Sequence, residues 1–315
     1  MQFSISVIIP VYNGERFIKK AIISVLEQPQ VTEIVVVNDG SIDGTLVILE
    51  ELQSQNSKIK VCHHKDKSNK GRSASRNLGI KKATENYIAF LDADDYYLPN
   101  RFTNDIKVFQ ENEMCDGIYN AVGFHFYRLA STLELQTHQL YTVRQDIKPD
   151  FLFEALLSGK FGHFQIDGLT VKKSLFNATG YFNEALVVAE DSDIFWKMAL
   201  VGNLYTGIID SPVALRGVHE SNIFDDTEIY KIYTIKMYES VLFWGSKVKL
   251  PISKNDLLLK WVWLLRFKQK KTLVQDIKYW FFLFKNSKEL VFTYLSFKYF
   301  PIVRLRKNIF PFIFR

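Results

Sequence analysis

At 315 residues, 47% hydrophobic and 23% charged, the chain is long enough for one large domain or two ordinary ones and too apolar to be disordered. Its two cysteines, Cys62 and Cys115, exclude a disulfide framework or a cysteine metal site and imply a reducing compartment. The net charge of +6 divides unevenly, with 22 Lys+Arg against 27 Asp+Glu in residues 1–224 and 18 against 7 in residues 225–315.

The N-terminal "MQFSISVIIPVYN" lacks a basic n-region and a small-residue cleavage site, so it reads as a first strand and not as a signal peptide. An Asn13-Gly14 turn follows, then "ERFIKKAIISVLEQ" with apolar residues at helical spacing. "EIVVVND" predicts a second strand, "LVILEELQSQN" a helix and "IKVCHH" a third strand. "SASRNLGIKKAT" reads as a helix and "YIAFLD" as a fourth strand. Near-continuous apolar strands alternating with helices predict an α/β fold, a mostly parallel, Rossmann-like sheet flanked by helices. Beyond residue 100, "PNRFTNDIKVFQEN" predicts a helix opened by Pro99, and "DGIYNAVGFHFYRLA" a long strand or hairpin arm. "SDIFWKMALVG" predicts a helix ending at Gly202, and the pattern from about Thr227 onward is helical. The domain expectation is 1–224 (halves 1–98 and 99–224), followed by a basic, aromatic helical extension over 225–315.

"YIAFLDADDYYLP" ends a buried strand in Asp92, Asp94 and Asp95, which repel one another and are partly desolvated. In a parallel sheet, ligands bind outside the carboxyl ends of the strands, where Asp39 and Asp92 both fall. Mg2+ or Mn2+ takes one or two carboxylates together with phosphate oxygens, which would offset the repulsion. On spacing alone a second reading stands, a polar loop start or helix cap before Pro99.

Taken in order, "SVIIPVYNGERFIKKAIISVLEQ", "EIVVVNDGSIDGT", "SASRNLGIKKATENYIAFLDADD" and "GYFNEALVVAEDSDIFWKMALVG" resemble family 2 glycosyltransferases of the GT-A fold over residues 3 to 222. The resemblance implies that Pro10, Val11 and Tyr12 line a nucleobase pocket and that Asp39 accepts a hydrogen bond from the base. It sets Arg76 toward the donor, with Lys70 and Arg72 on the same loop, Asp92 near the ribose and Asp94 on a metal. Asp95 would cap the following turn. Asp191 matches the catalytic base, with Glu190 and Asp193 beside it, although acids there also suit the first turn of a helix. His219, in "LRGVHESN" with Arg216 and Asn222, falls where relatives contact the metal or diphosphate; a structural histidine is the other reading. Asn183 stands where the family commonly has Asp.

The function implied is inverting, Mn2+- or Mg2+-dependent transfer of a sugar from a nucleotide-sugar donor, a UDP-sugar, to a glycan or lipid-linked hydroxyl in bacterial surface polysaccharide synthesis. The rival readings are a nucleotidyltransferase and a catalytically silent sugar-nucleotide or membrane-binding protein. Lysines interrupt the C-terminal apolar runs before a spanning length of ~20 residues. "RLRKNIFPFIFR" has the composition of a segment lying on anionic lipid, or of a helical subdomain packing its aromatics. No nucleic-acid recognition motif occurs. The expected location is the cytoplasm, peripheral on the inner face of the cytoplasmic membrane.

Overall fold

Ile5–Val11 (β1) is buried at every position, as a strand enclosed on both faces must be. It pairs in parallel with Val31–Asn38 (β2) on one side and, after α1 (Ile18–Leu26), α2 (Thr45–Gln55), β3 (Ile59–His63) and α3 (Arg72–Lys82), with Tyr87–Phe90 (β4) on the other. Ile5, Val7, Ile9 and Val11 pack with Ile18, Ile22 and Val25 of α1 and with Leu49 and Leu52 of α2. Ile8, on the opposite face, meets α3 at Gly79 so closely that an ideal Cβ there would lie 2.4 Å from its Cγ2. Helices thus cover both faces. This computed structural model describes residues 3–137, 139–220, 227–269 and 271–313.

Beyond β4 come β5 (Tyr96–Tyr97), α4 (Thr103–Glu111), β6 (Gly117–Tyr119), β7 (Val122–Phe126) and α5 (Thr132–Thr137). They are followed by α6 (Pro149–Ser158), β8 (Leu169–Lys172), α7 (Leu175–Thr179), α8 (Glu190–Val201), β9 (Leu204–Thr206) and β10 (Ala214–Val218). The main sheet has seven strands in the order β3-β2-β1-β4-β8-β6-β9, with β8 antiparallel to both neighbours. The order β5-β10-β7 forms a second, three-stranded sheet.

Two local expectations are corrected. The strand foreseen over 116–130 divides into β6 and β7, which belong to different sheets. Between them, fully buried Asn120 donates to Asp105 and to the Gly168 carbonyl, and its Oδ1 accepts from Ile208 N–H at 2.8 Å. Those bonds turn the chain out of the ladder. The helix foreseen from Pro99 begins only at Thr103, because Asn100 adopts φ +62° and Arg101 turns inward to Asp105 and the Asp167 carbonyl.

The chain divides into two compact units, residues 1–225 and 226–315. The second is helical: α9 (Thr227–Lys247), α10 (Ile252–Lys268), α11 (Leu273–Asn286), α12 (Tyr294–Tyr299), α13 (Pro301–Arg304) and α14 (Arg306–Ile309). Its core includes Val241, Leu242, Leu258, Leu259, Val262, Trp263 and Leu283, all buried. Thr272 and Gln275 close a reciprocal capping box at the start of α11. Among the described residues, no helix is long and apolar enough to cross a membrane.

Candidate active site

The strand order reverses between β1 and β4, and the carboxyl edge at such a reversal is where open α/β sheets hold ligands. Four residues stand just beyond parallel strands on that edge: Tyr12, Asp39, His64 and Asp92. Of the three residues expected to line a base pocket, Pro10 and Val11 are buried in β1, whereas Tyr12 is 48% exposed.

Asp39 is buried, and its backbone N–H donates to the Val11 carbonyl at 2.8 Å. Its two carboxylate oxygens accept the N–H groups of Lys70 and Gly71, each at 2.8 Å, and His64 Nε2 lies 3.2 Å from Oδ1. The carboxylate therefore braces the 64–71 loop over the end of the sheet. Gly40 makes this approach possible: at φ +76°, an ideal Cβ would sit 2.7 Å from the Lys67 carbonyl oxygen. His64, to which the sequence assigned nothing, also lies 3.0 Å from Ser75 Oγ.

Arg76, expected on the donor side, stands among acidic side chains. It is fully buried in α3, and its guanidinium faces three carboxylates, not open crevice. Nη2 donates to Asp92 Oδ1 at 2.6 Å, and Nη1 to Asp191 Oδ1 at 2.8 Å and Glu190 Oε1 at 3.4 Å. Glu190 is held in turn by Arg72 Nε at 2.5 Å. These charges offset the cost of burying Arg76 and keep it protonated. Burial pushes Asp92 up, but Arg76 and Arg72 outweigh it and hold the carboxyl below its usual range. Glu190 goes the other way, pushed up to about 7 by burial and the neighbouring Asp191 charge.

Asp191 sits in the first turn of α8, whose N-terminal dipole end favours negative charge. Its side chain is 33% exposed, and its Oδ1 is held by Arg76. Asp193 is buried and paired with Lys197 at 2.6 Å, so it belongs to the helix interior. Asn183 accepts from Ala185 N–H at 3.0 Å, a turn bond that an aspartate makes equally well.

Asp94, before β5, and His219, after β10, meet because those strands are neighbours in the second sheet. Asp94 Oδ2 and His219 Nε2 are 3.0 Å apart, and Phe17 stacks on the imidazole with ring centroids 4.8 Å apart. Burial, reinforced by Asp92, raises the Asp94 carboxyl. Gly217 is required at this junction, since a Cβ there would lie 2.3 Å from the Asp94 carbonyl oxygen. Asp95 does not cap the following turn. It is buried, and its Oδ1 accepts from Gly217 N–H at 2.7 Å, locking the aspartate loop onto β10.

Carboxylate oxygens of Asp92, Asp95 and Asp167 lie within 4.8 Å of one another. Burial and the facing Asp167 raise Asp95 strongly, and burial also lifts Asp167, to about 6. Carboxyl groups this close disfavour one another's ionisation, and their oxygens form a donor set of the kind that holds a metal ion. Asn222 lies outside the described residues, as do Phe314 and Arg315 of the basic terminal segment.

Comparison with solved structures identifies the fold. S. aureus TarS 1-349 in complex with UDP superposes with a TM-score of 0.62 at 19% identity, covering 97% of this chain and 87% of that one. The same protein in complex with UDP-GlcNAc superposes with a TM-score of 0.62 at 17% identity, over 97% of this chain and 92% of the other. The architecture is that of the GT-A glycosyltransferases.

The sequence carries the assignment further. The family profile "Glycosyl transferase family 2" matches residues 6–164. An uncharacterized glycosyltransferase of Rickettsia typhi is 30% identical over 264 residues, 81% of this chain and 74% of that protein. One of Rickettsia prowazekii is 33% identical over 209 residues, 64% of this chain and 60% of the relative. The chain belongs to glycosyltransferase family 2.

Proposed function

We propose that the protein is an inverting, metal-dependent glycosyltransferase that moves a sugar from a UDP-sugar to a hydroxyl of a glycan or lipid-linked acceptor. The observation that carries this reading is the Arg76 clamp: one buried guanidinium binds both Asp92, on the donor edge, and Asp191, at the mouth of the crevice. TarS complexes with UDP and UDP-GlcNAc support the donor class. A role in bacterial surface polysaccharide synthesis at the inner face of the cytoplasmic membrane agrees with the family and with the basic C-terminal unit.

In this reading the acceptor oxygen attacks the anomeric carbon from the face opposite the nucleotide. The new C–O bond forms as the bond to the diphosphate oxygen breaks, and the diphosphate leaves with the electron pair. Asp191 Oδ2 takes the hydroxyl proton, while Arg76 fixes Oδ1 and with it the direction of the carboxylate. One displacement inverts the configuration. Exposed Tyr12 would meet the base, and Asp39 would act through the loop it braces as well as through any bond to the nucleotide.

Asp94 and His219 fit a divalent cation, Mn2+ or Mg2+. They offer one carboxylate oxygen and one imidazole nitrogen at the crevice edge, which suits an ion completed by phosphate oxygens and water. When bound, such an ion supplies positive charge to the diphosphate leaving group.

The test is nucleotide release from a panel of nucleotide-sugars with Mn2+ and a membrane-lipid extract as acceptor. UDP-sugar turnover is expected in the wild type and loss of transfer in Asp191→Asn. Turnover by Asp191→Asn at the wild-type rate would reject the assignment of the base.

A further inference from the structure

We infer that the exposed face of α11, together with the turn that leads into α12, is a docking surface for anionic phospholipid bilayers. This deepens the reading of a membrane-proximal acceptor and rests on it for its purpose. The sequence alone pointed to residues 304–315. The structure shifts the emphasis upstream, since Arg304 lies over the Phe267 ring with its guanidinium carbon 3.0 Å from the centroid.

Along α11, Leu283, Phe284 and Asp276 are buried, and Asp276 binds Arg266 at 3.1 Å. The exposed stripe is Val274, Lys278, Phe281, Phe282 and Lys285, spaced as one helix face. Three more aromatic residues stand out just beyond it: Phe292 is 97% exposed, Tyr294 74% and Phe297 67%. Large apolar side chains left in water forgo the stabilisation of burial, so a concentration of five aromatics within seventeen residues points to a covering partner.

Charge selects that partner. Over residues 273–299 the exposed charged side chains are Lys278, Lys285, Lys288 and Lys298 against a single acid, Glu289. Such a face repels a second copy of itself and attracts an anionic one. Lysine stems and aromatic rings interleaved on a helix too polar to span suit the headgroup region of a bilayer, where rings enter the acyl boundary and ammonium groups meet phosphate.

The experiment is co-sedimentation of the full chain with vesicles of phosphatidylcholine alone or mixed with phosphatidylglycerol, at low and high salt. It compares wild type, Phe292→Ser/Phe297→Ser and Lys278→Glu/Lys285→Glu, with UDP binding and far-ultraviolet circular dichroism as controls. Wild type is expected to sediment with the anionic vesicles only, less so in high salt, and each double variant to bind about tenfold more weakly with UDP binding unchanged. Two variants guard against one failing to fold. Sedimentation of both folded variants like wild type would overturn the proposal. So would equal wild-type binding to phosphatidylcholine, a dimer that depends on these residues, or binding to single-stranded oligonucleotide in place of vesicles. If vesicle binding behaves as expected while no nucleotide-sugar is turned over, the enzymatic reading fails and the surface stands.

Discussion

Arg76 and Asp191 are 115 positions apart in the chain and joined by a 2.8 Å bond from Nη1 to Oδ1. The guanidinium is wholly buried, so this bond sets the carboxylate's orientation with little competition from water. The first consequence concerns Asp191 itself. Asp191→Asn keeps the size and the crevice but cannot accept the acceptor's proton. Transfer should fall by about 10²–10⁴-fold while UDP affinity, measured by calorimetry, stays within error of wild type.

Removal of the clamp should damage the fold as well as the rate. Arg76→Leu leaves buried Glu190 and half-buried Asp92 without their shared cation, a change worth about 3–5 kcal/mol of stability. Urea denaturation at pH 7 measures it. A variant as stable as wild type would mean that Arg72 alone neutralises the cluster.

The raised carboxyl of Glu190 gives a pH signature. Its folded pKa of about 7 lies above the ordinary 4.5, so the native state holds a proton there that the unfolded chain has lost. The contribution to stability is present in full below about 4.5, declines as pH rises to about 7, and is level beyond. Glu190→Gln cannot titrate, and its thermal midpoint should fall less than that of wild type across this interval. Identical slopes for the two proteins would show that Glu190 is ionised throughout.

Asp94→Ala and His219→Ala remove one ligand each from the proposed metal pair. Both should lose the Mn2+-dependent part of UDP binding and keep the metal-independent part, as read by calorimetry with and without the ion. Asp95 holds the loop to Gly217 through its own bond, so the fold should tolerate either change.

Asp39→Ala removes the carboxylate that accepts the Lys70 N–H and leaves Gly71 N–H with Asn69 Oδ1 alone. Hydrogen exchange should rise over residues 64–71, and UDP should bind more weakly with its dependence on Mn2+ intact. Unchanged exchange would locate the role of Asp39 in the nucleotide contact alone.

The sequence by itself determined the α/β alternation and the placement of acidic residues just after buried strands. Both are local: apolar runs, turn residues and helical spacing act over about ten residues, so "EIVVVNDG" announces a strand and its carboxyl end wherever it folds. Tertiary structure decided which of those residues meet. Asp94 and His219, 125 positions apart, come together because β5 and β10 pair in a small second sheet that no periodicity announces. In the same way, β6 and β7 go to different sheets because Asn120 finds buried partners at Asp105, Gly168 and Ile208. Arg76, which the family resemblance sets toward the donor, is the buried centre of three carboxylates. A guanidinium can be buried only where enough negative charge converges, and that convergence depends on how α3, the Asp92 loop and the start of α8 pack together.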